Sequence, residues 1–232
     1  MDIKAIIKKI SYIALLEVII IIFMFVIMLS LKVIGVQGGI ISRTIPFLSI
    51  LLCLCFSFFV IDKNRLNWKI NRREILVSLI YLVIAMVPAL FDKRFLQNLT
   101  ESNIIWGWLV YYLLVAVAEE LFFRAYIRFK LHKLGKKYWI ITSATAFSAI
   151  HFISSEQLSI FFFLLIFLYG VIFAVTYEIM NSILPLIVFH MFWNFMTDYS
   201  ENYSNVLIVF GIWIIMLLVS FVIRIVKRQY SK

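Results

Sequence analysis

The sequence has few of the residues that form loops and soluble surfaces. It contains only 3 prolines and 7 glycines, which leaves little material for long irregular connections. Charged residues make up 15% of the 232 residues, whereas 64% are hydrophobic. A soluble domain of this size has roughly 45–50% apolar residues. The composition therefore excludes a soluble globular protein and predicts a polytopic membrane protein without internal repeats or low-complexity tracts.

Cysteine is nearly absent, since Cys53 and Cys55 are the only two. Residues two apart on a helix point to different faces, so these two cannot pair with each other. We interpret them as small apolar side chains that carry no information on redox compartment. A signal peptide is not expected either, because the first apolar run, Ile10 to Leu31, is too long and no small-residue cleavage site follows it. We expect an uncleaved first span.

Long apolar runs dominate the chain, and one membrane span needs about 20 mainly apolar residues. The fold class predicted is an all-α transmembrane bundle of about eight helices. They are placed near residues 10–34, 44–61, 74–91, 103–129, 138–154, 158–176, 182–198 and 205–226. The break between the sixth and seventh helices is weakly marked, by Glu178, Asn181 and Ser182. The whole chain, 1–232, is expected to form one integral-membrane domain.

The distribution of basic residues predicts the topology. The formal net charge is +10, from 22 Lys and Arg against 12 Asp and Glu. Lys and Arg cluster in residues 1–9, 62–73, 124–137 and the C-terminal tail, and the only exceptions are Lys32, Arg43, Lys93 and Arg94. The positive-inside rule then predicts a multi-pass cell-membrane protein with both termini in the cytoplasm. The lipid bilayer is the expected partner and nucleic acid is not, because the charges lie in short loops that suit anionic headgroups.

Two adjacent carboxylates, Glu119 and Glu120, lie near the end of the apolar run that starts at Ile104. Carboxylates are costly in hydrocarbon and by default indicate function. On a helix these two point about 100° apart, so we expect different roles for them. Glu120 and Arg124 share a face at a spacing suited to an ion pair, which would leave Glu119 as the free carboxylate. The alternative is a set of interfacial charges at a helix end, which the short glutamate side chains disfavour.

Two later helices carry polar side chains at a similar depth. Phe147 shares a face with His151 in a segment of small residues that would let another helix approach closely. His190 and Asn194 share a face of a further helix. Taken singly, such residues are often packed histidines or interhelical clamps. Together with Glu119 they fall within a depth of ~10 Å, roughly mid-membrane, and offer groups that activate water and stabilise an oxyanion.

In this order and spacing the residues resemble the motifs of a known family. Glu119-Glu120-x-x-x-Arg124, Phe147-x-x-x-His151 and His190-x-x-x-Asn194 resemble the three motifs of the CAAX-processing and bacteriocin-immunity (CPBP) family, also called abortive-infection proteins. The approach to the third motif is similar too, through Gly170, Tyr177, Ser182 and Pro185. The resemblance covers about residues 110–195, within a motif-bearing core of about 104–198. Ala125 departs from it, since the family often has glycine there.

The resemblance implies an intramembrane endopeptidase, often labelled a metalloprotease, with an eight-helix core and a cavity open to the cytosol. It implies that Glu119 is the general base and that His151 helps to bind the attacking water. His190 and Asn194 would form the oxyanion hole, and the supporting residues would be Glu120, Arg124 and Phe147. The expected substrate is a membrane-associated peptide or lipidated protein reached from the cytoplasmic side.

The sequence leaves the role of metal open. Glu119, His151 and His190 would provide three zinc ligands and an open position. However, no His-Glu-x-x-His helix is present. If Glu119 is the base, two histidines and Asn194 remain, which is an unusual set for zinc. We favour a reaction without a cofactor and keep zinc as the alternative.

Two other functions are compatible with the same residues. One is a non-catalytic role in bacteriocin immunity or as a membrane scaffold, in which the polar residues would only hold helices together. The other is an ion-coupled transporter using Glu119 and Glu120, which we disfavour because no inverted repeat or Gly/Pro-broken helix pair is visible. A further carboxylate, Glu17, lies inside the first span, where we expect a structural role.

Overall fold

The computed structural model describes residues 3–35, 43–48, 51, 72–92, 95, 97, 105–154, 159–200 and 205–229. Within these ranges the chain is helical and has no β-strand, so the all-α prediction is confirmed. The helices are α1 (Ile3–Val33), α2 (Arg72–Leu90), α3 (Ile105–Glu119), α4 (Ile127–Leu131), α5 (Lys136–Ser154), α6 (Ile160–Met180), α7 (Leu184–Tyr199) and α8 (Val206–Gln229). A π-helical segment, Glu120–Tyr126, joins α3 to α4, and a short 3-10 turn, His132–Leu134, precedes α5.

Apolar helices occupy the predicted spans wherever the chain is described. Of the span predicted at 44–61, the part at 44–48 is helical and most of the rest lies outside the described residues. Three helices in the described part are long and apolar enough to cross a membrane, namely Ile6–Val33, Ile160–Met180 and Val206–Val226. Large apolar side chains on α1 are exposed, as hydrocarbon contact requires. The number of eight spans and the cytoplasmic termini stay predictions.

The chain divides into two compact units, of which the first comprises Met1–Leu66 and Ala118–Ala174. In this unit α1 packs against α4 and α5, and the π segment also lies against α5. Its interior is aromatic, with Trp139, Phe147 and Phe173 fully buried. The prediction of one domain over the whole chain is not tested by this division.

Helices α5 and α6 approach each other closely inside the first unit. A Cβ added at Gly170 would lie 2.9 Å from the Cα of Ala144, so the backbones meet where only glycine fits. Nearer the other end of the contact, the Ser148 hydroxyl donates a hydrogen bond to the Phe163 carbonyl at 2.7 Å. Small residues at a helix contact are typical of membrane proteins, because close backbone approach replaces the hydrophobic driving force that lipid removes.

The second unit comprises Asn67–Val117 and Val175–Lys232. Helix α2 packs along α7 and also contacts α8. The Tyr81 hydroxyl is hydrogen-bonded to Ser220, whose hydroxyl donates to the Met216 carbonyl at 2.7 Å. The Tyr81 ring also meets Phe189 edge-on, with centroids 6.1 Å apart. This buried polar clamp connects α2 to α8 and supports the side of α7 that carries Phe189.

The weakly marked break before α7 is present. Asn181 adopts φ +53, a left-handed conformation that asparagine tolerates better than most residues, and its N–H bonds to the Tyr177 carbonyl at 2.8 Å. Pro185 follows in the first turn of α7, where its missing N–H costs nothing. The helix therefore ends at Met180 and restarts at Leu184, which places His190 in the second turn of α7.

Candidate active site

The first site motif lies where the helix changes type. The predicted helix over 103–129 is present from Ile105 onward, and residues 103 and 104 lie outside the described residues. From Glu120 to Tyr126 it is π-helical rather than α-helical, which corrects the uniform α-helix expected there. The Ile127 N–H, for example, bonds to the Phe122 carbonyl five residues back. Every residue of the π segment is buried. π turns are rare and occur frequently at functional sites, because the wider turn redirects side chains.

Glu120 and Arg124 form the ion pair that their spacing predicted. The Nε atom of Arg124 lies 3.3 Å from a carboxylate oxygen of Glu120, and neither side chain is exposed. The guanidinium is also surrounded by aromatic rings, with its Cζ 4.5 Å from the centre of Phe147, 5.2 Å from Phe173 and 5.7 Å from Phe123. Desolvated contacts of this kind contribute about 2 kcal/mol or more each. The charge of Glu120 is thus compensated inside a sealed aromatic environment.

Glu119 and His151 form a second and more accessible pair. The His151 Nε2 atom lies 4.0 Å from a Glu119 carboxylate oxygen. The side chain of His151 is 30% exposed and that of Glu119 is 14% exposed. The other ring nitrogen of His151, Nδ1, lies 2.8 Å from the Phe147 carbonyl. A carbonyl only accepts, so Nδ1 carries a proton, and Nε2 of a neutral His151 is an acceptor on the side of Glu119. The carboxylate of Glu119 and the Nε2 atom of His151 are then two hydrogen-bond acceptors that one donor between them could reach.

Phe147 links the two pairs. Its ring centroid lies 4.2 Å from that of His151, and the same ring carries the closest aromatic contact of Arg124. Phe147 is fully buried. The structure therefore brings Glu119, Glu120, Arg124, Phe147 and His151 together within the first unit, as the sequence predicted for these motifs.

The residues of the third motif lie on α7 in the second unit. His190 is only 2% exposed, whereas Asn194, one turn later, is partly exposed. The helix is anchored through the adjacent face, where the rings of Phe189 and Trp193 stack with centroids 5.6 Å apart and Trp193 contacts Trp213. His190 and Asn194 share one side of α7, as predicted. The four-residue catalytic set of Glu119, His151, His190 and Asn194 stays a prediction.

Sequence reasoning missed two aromatic residues of α6, Tyr169 and Phe173. Both are buried, and their ring centroids lie 4.2 Å apart. Tyr169 contacts Phe147 at 5.7 Å, and Phe173 contacts the Arg124 guanidinium. The sequence does show that Tyr169 and Phe173 are four residues apart, which places them on one face of α6, and that Tyr169 precedes Gly170, the residue at which α6 approaches α5. Spacing alone does not show which helix lies opposite, so their contacts depend on the tertiary structure.

The zinc alternative stays a prediction, because Glu119 and His151 lie in the first unit and His190 lies in the second. A catalytic zinc site needs three protein ligands within about 2.0–2.3 Å of one point. In the first unit Glu119 and His151 provide two such donors. No chemical step is therefore derived through a metal.

The site motifs lie in the part of the chain that matches a protease family. Residues 101–196 match the family model described as type II CAAX prenyl endopeptidase Rce1-like. The resemblance to the CPBP family is thereby confirmed, and the matched segment contains every predicted site residue. No curated protein and no solved structure matches the chain. A protease family together with long apolar helices indicates a membrane-embedded endopeptidase.

Proposed function

From the match of residues 101–196 to a CAAX prenyl endopeptidase family, we propose that this chain cleaves a peptide bond within the membrane through a glutamate-activated water. The observation that carries the proposal is the difference between the two glutamates. Glu120 is sealed and compensated by Arg124, whereas Glu119 is partly accessible and lies 4.0 Å from His151. One carboxylate is thus reserved for structure and the other is available for chemistry.

The spacing of Glu119 and His151 suits a shared water molecule. A water that donates one proton to each of two acceptors, at about 2.8 Å each, holds them roughly 4.4 Å apart. The observed 4.0 Å is close to this value. Glu119 then removes a proton as the oxygen attacks the peptide carbonyl, and His151 holds the water in place through Nε2. General base catalysis of this kind contributes about 10²–10⁴-fold in rate.

The Glu120–Arg124 pair supports this chemistry by keeping Arg124 away from Glu119. A guanidinium paired with the base would stabilise its ionised form and weaken it as a proton acceptor. The aromatic rings around Arg124 hold the guanidinium beside Glu120 instead. Their packing also fixes Phe147, against which His151 lies. We assign Glu120, Arg124 and Phe147 to the support of the site.

His190 and Asn194 are proposed to stabilise the tetrahedral oxyanion. Both side chains can donate a hydrogen bond, and their positions one turn apart on α7 allow them to address one oxygen. The family resemblance supplies this role. Removing one oxyanion-hole donor typically costs about 10²–10³-fold in the rate constant of the chemical step.

The proposed substrate is a membrane-associated peptide or lipidated protein that enters from the cytoplasmic side. The end of the first unit beyond the site is strongly basic, and residues 125–150 contain no Asp or Glu. Lys130 lies within 5.8 Å of the rings of Tyr12 and Tyr126, an arrangement typical of the membrane–water interface. This basic segment, residues 128–137, favours substrates held at an anionic membrane leaflet.

The alternative is a non-catalytic immunity or scaffold protein, and a comparison of two carboxylate variants separates the two functions. Membranes from cells expressing wild type, Glu119→Ala and Glu17→Gln are compared by quantitative proteomics of new protein termini. Glu17 is the matched control, since it is a buried membrane-helix carboxylate outside the site. A protease predicts that precursors accumulate only with Glu119→Ala. A phenotype that survives Glu119→Ala with identical termini in all three samples supports the binding role instead.

A further inference from the structure

Tyr169 is enclosed in the first unit, beside the candidate site. Its side chain is 4% exposed and its hydroxyl oxygen is buried. Buried tyrosines usually direct the hydroxyl to a polar partner, because an isolated hydroxyl in an apolar environment is costly. The charged groups whose electrostatic fields reach this phenol are Glu120, Arg124 and Glu119. The buried hydroxyl of Tyr169 therefore lies within electrostatic reach of the two site glutamates and Arg124.

The ring of Tyr169 supports the other half of the site. It lies 5.7 Å from Phe147 and 4.2 Å from Phe173, measured between centroids. Phe147 contacts His151 at 4.2 Å, and Phe173 contacts Arg124. A shift of the Tyr169 ring would therefore be transmitted to His151 and to Arg124 through one aromatic neighbour each.

The depth of Tyr169 is fixed by the residue that follows it. At Gly170 a Cβ would meet the Cα of Ala144 at 2.9 Å, so α6 cannot slide along α5 without a clash or a gap. Ala144 and Phe147 lie on the same helix one turn apart. The close contact thus sets the register between Tyr169 and the aromatic ring that it supports.

We propose that Tyr169 is a positioning residue of this site: its ring holds Phe147 behind His151, and its hydroxyl supports the negative charge shared by Glu119 and Glu120. A neutral O–H dipole can do this without competing for the proton that Glu119 accepts, unlike a second cation. This inference rests on the proposed function for its effect on catalysis, but the interaction itself is measurable without any activity.

The variant that isolates the hydroxyl is Tyr169→Phe, because it keeps the ring and its packing. The loss of one buried polar group near the two carboxylates should lower kcat roughly tenfold, whereas KM should stay within about twofold. The matched control is Tyr138→Phe. Tyr138 is a half-buried tyrosine of the first unit near the start of α5, and its ring faces Lys137. The control keeps the wild-type kcat.

A thermal double-mutant cycle tests the interaction independently of proteolysis. Melting temperatures are measured in detergent for wild type, Tyr169→Phe, Glu119→Ala and the double variant. If the hydroxyl supports the carboxylate, the loss caused by Tyr169→Phe becomes smaller by about 2 °C or more when Glu119 is already absent. Additive losses overturn the inference whatever happens to kcat. If the losses are not additive but the protein cleaves no substrate, the interaction between Tyr169 and Glu119 is supported and the proposed function is rejected.

Discussion

The carboxylate of Glu120 lies 3.3 Å from the Nε atom of Arg124, and neither side chain is exposed. Removing charges from water costs several kcal/mol per ion, so such a pair persists only where each charge compensates the other. The neighbouring Glu119 has a different environment, with partial exposure and a histidine at 4.0 Å. Two chemically identical side chains, adjacent in sequence, therefore have different environments: Glu120 is buried with a counter-charge, and Glu119 is partly exposed beside a histidine.

Substitution of Glu120 should mainly lower stability, whereas substitution of Glu119 should mainly abolish cleavage. Glu120→Gln leaves the Arg124 cation buried without its counter-charge, which costs about 3–5 kcal/mol and lowers the melting temperature by roughly 10 °C. Glu119→Gln should change the melting temperature by only about 2 °C and abolish cleavage, because it removes the base. Thermal unfolding of the purified variants in one detergent gives the comparison. Equal melting temperatures for the two variants would contradict the assignment.

The relation between Glu120 and Arg124 could be predicted because it is local. A spacing of four residues places two side chains on one helix face whatever surrounds the helix, and the pair forms even though this stretch is π-helical. Phe147 and His151 share a face for the same reason. The positions of the helices could be predicted from the length of the apolar runs, because the thickness of the membrane, and not the packing between helices, sets that length.

The π segment and the role of α6 could not be predicted from the sequence. A π turn differs from an α turn in the choice of carbonyl partner, and the residues Glu120–Tyr126 have no glycine or proline to mark it. Tyr169 joins the site only because Gly170 lets α6 approach Ala144. That contact is between residues distant in sequence, and periodicity within one helix carries no information about it.

Phe147→Leu should weaken catalysis more than its effect on packing suggests. Leucine fills part of the space, but it offers no aromatic face to the Arg124 guanidinium and none to the His151 ring. We expect kcat to fall by roughly tenfold or more, because about 1–2 kcal/mol of cation–π and ring contact is lost where His151 is positioned.

The matched control for Phe147 is Phe152→Leu. Phe152 lies on the same helix and its ring packs against Phe163 at 5.9 Å, outside the site. Steady-state cleavage assays on both variants provide the comparison. If the two variants lose activity equally, Phe147 contributes only general packing.

Cleavage should persist when divalent metals are removed. In the first unit Glu119 and His151 lie at a spacing that suits a shared water, and these two donors are fewer than the three protein ligands of a catalytic zinc site. Inductively coupled plasma analysis of the purified protein should find less than one zinc per chain. Activity measured before and after chelation should agree. Stoichiometric zinc together with chelator-sensitive cleavage would reject the metal-free reaction.

Two helical glycines provide a test of how the site is held in register. A Cβ at Gly170 would approach the Ala144 Cα to 2.9 Å, whereas a Cβ at Gly211 meets nothing within 4 Å. Replacing glycine by alanine in a helix interior gains up to about 1 kcal/mol where space allows. Forcing an extra methyl group into a packed contact costs about 1–3 kcal/mol. The two substitutions are chemically identical, so any difference between them comes from the α5–α6 contact.

Gly170→Ala should therefore lower the melting temperature by a few degrees, whereas Gly211→Ala should leave it unchanged or raise it. The clash pushes α6 away from α5 and carries Tyr169 and Phe173 away from Phe147 and Arg124, so kcat should fall with it. Thermal unfolding and cleavage are measured on the same preparations. Because Gly211 lies on α8 in the second unit, its variant should retain wild-type activity. A rise in stability for both variants would show that α5 and α6 can separate without cost and that Gly170 does not set the register of Tyr169.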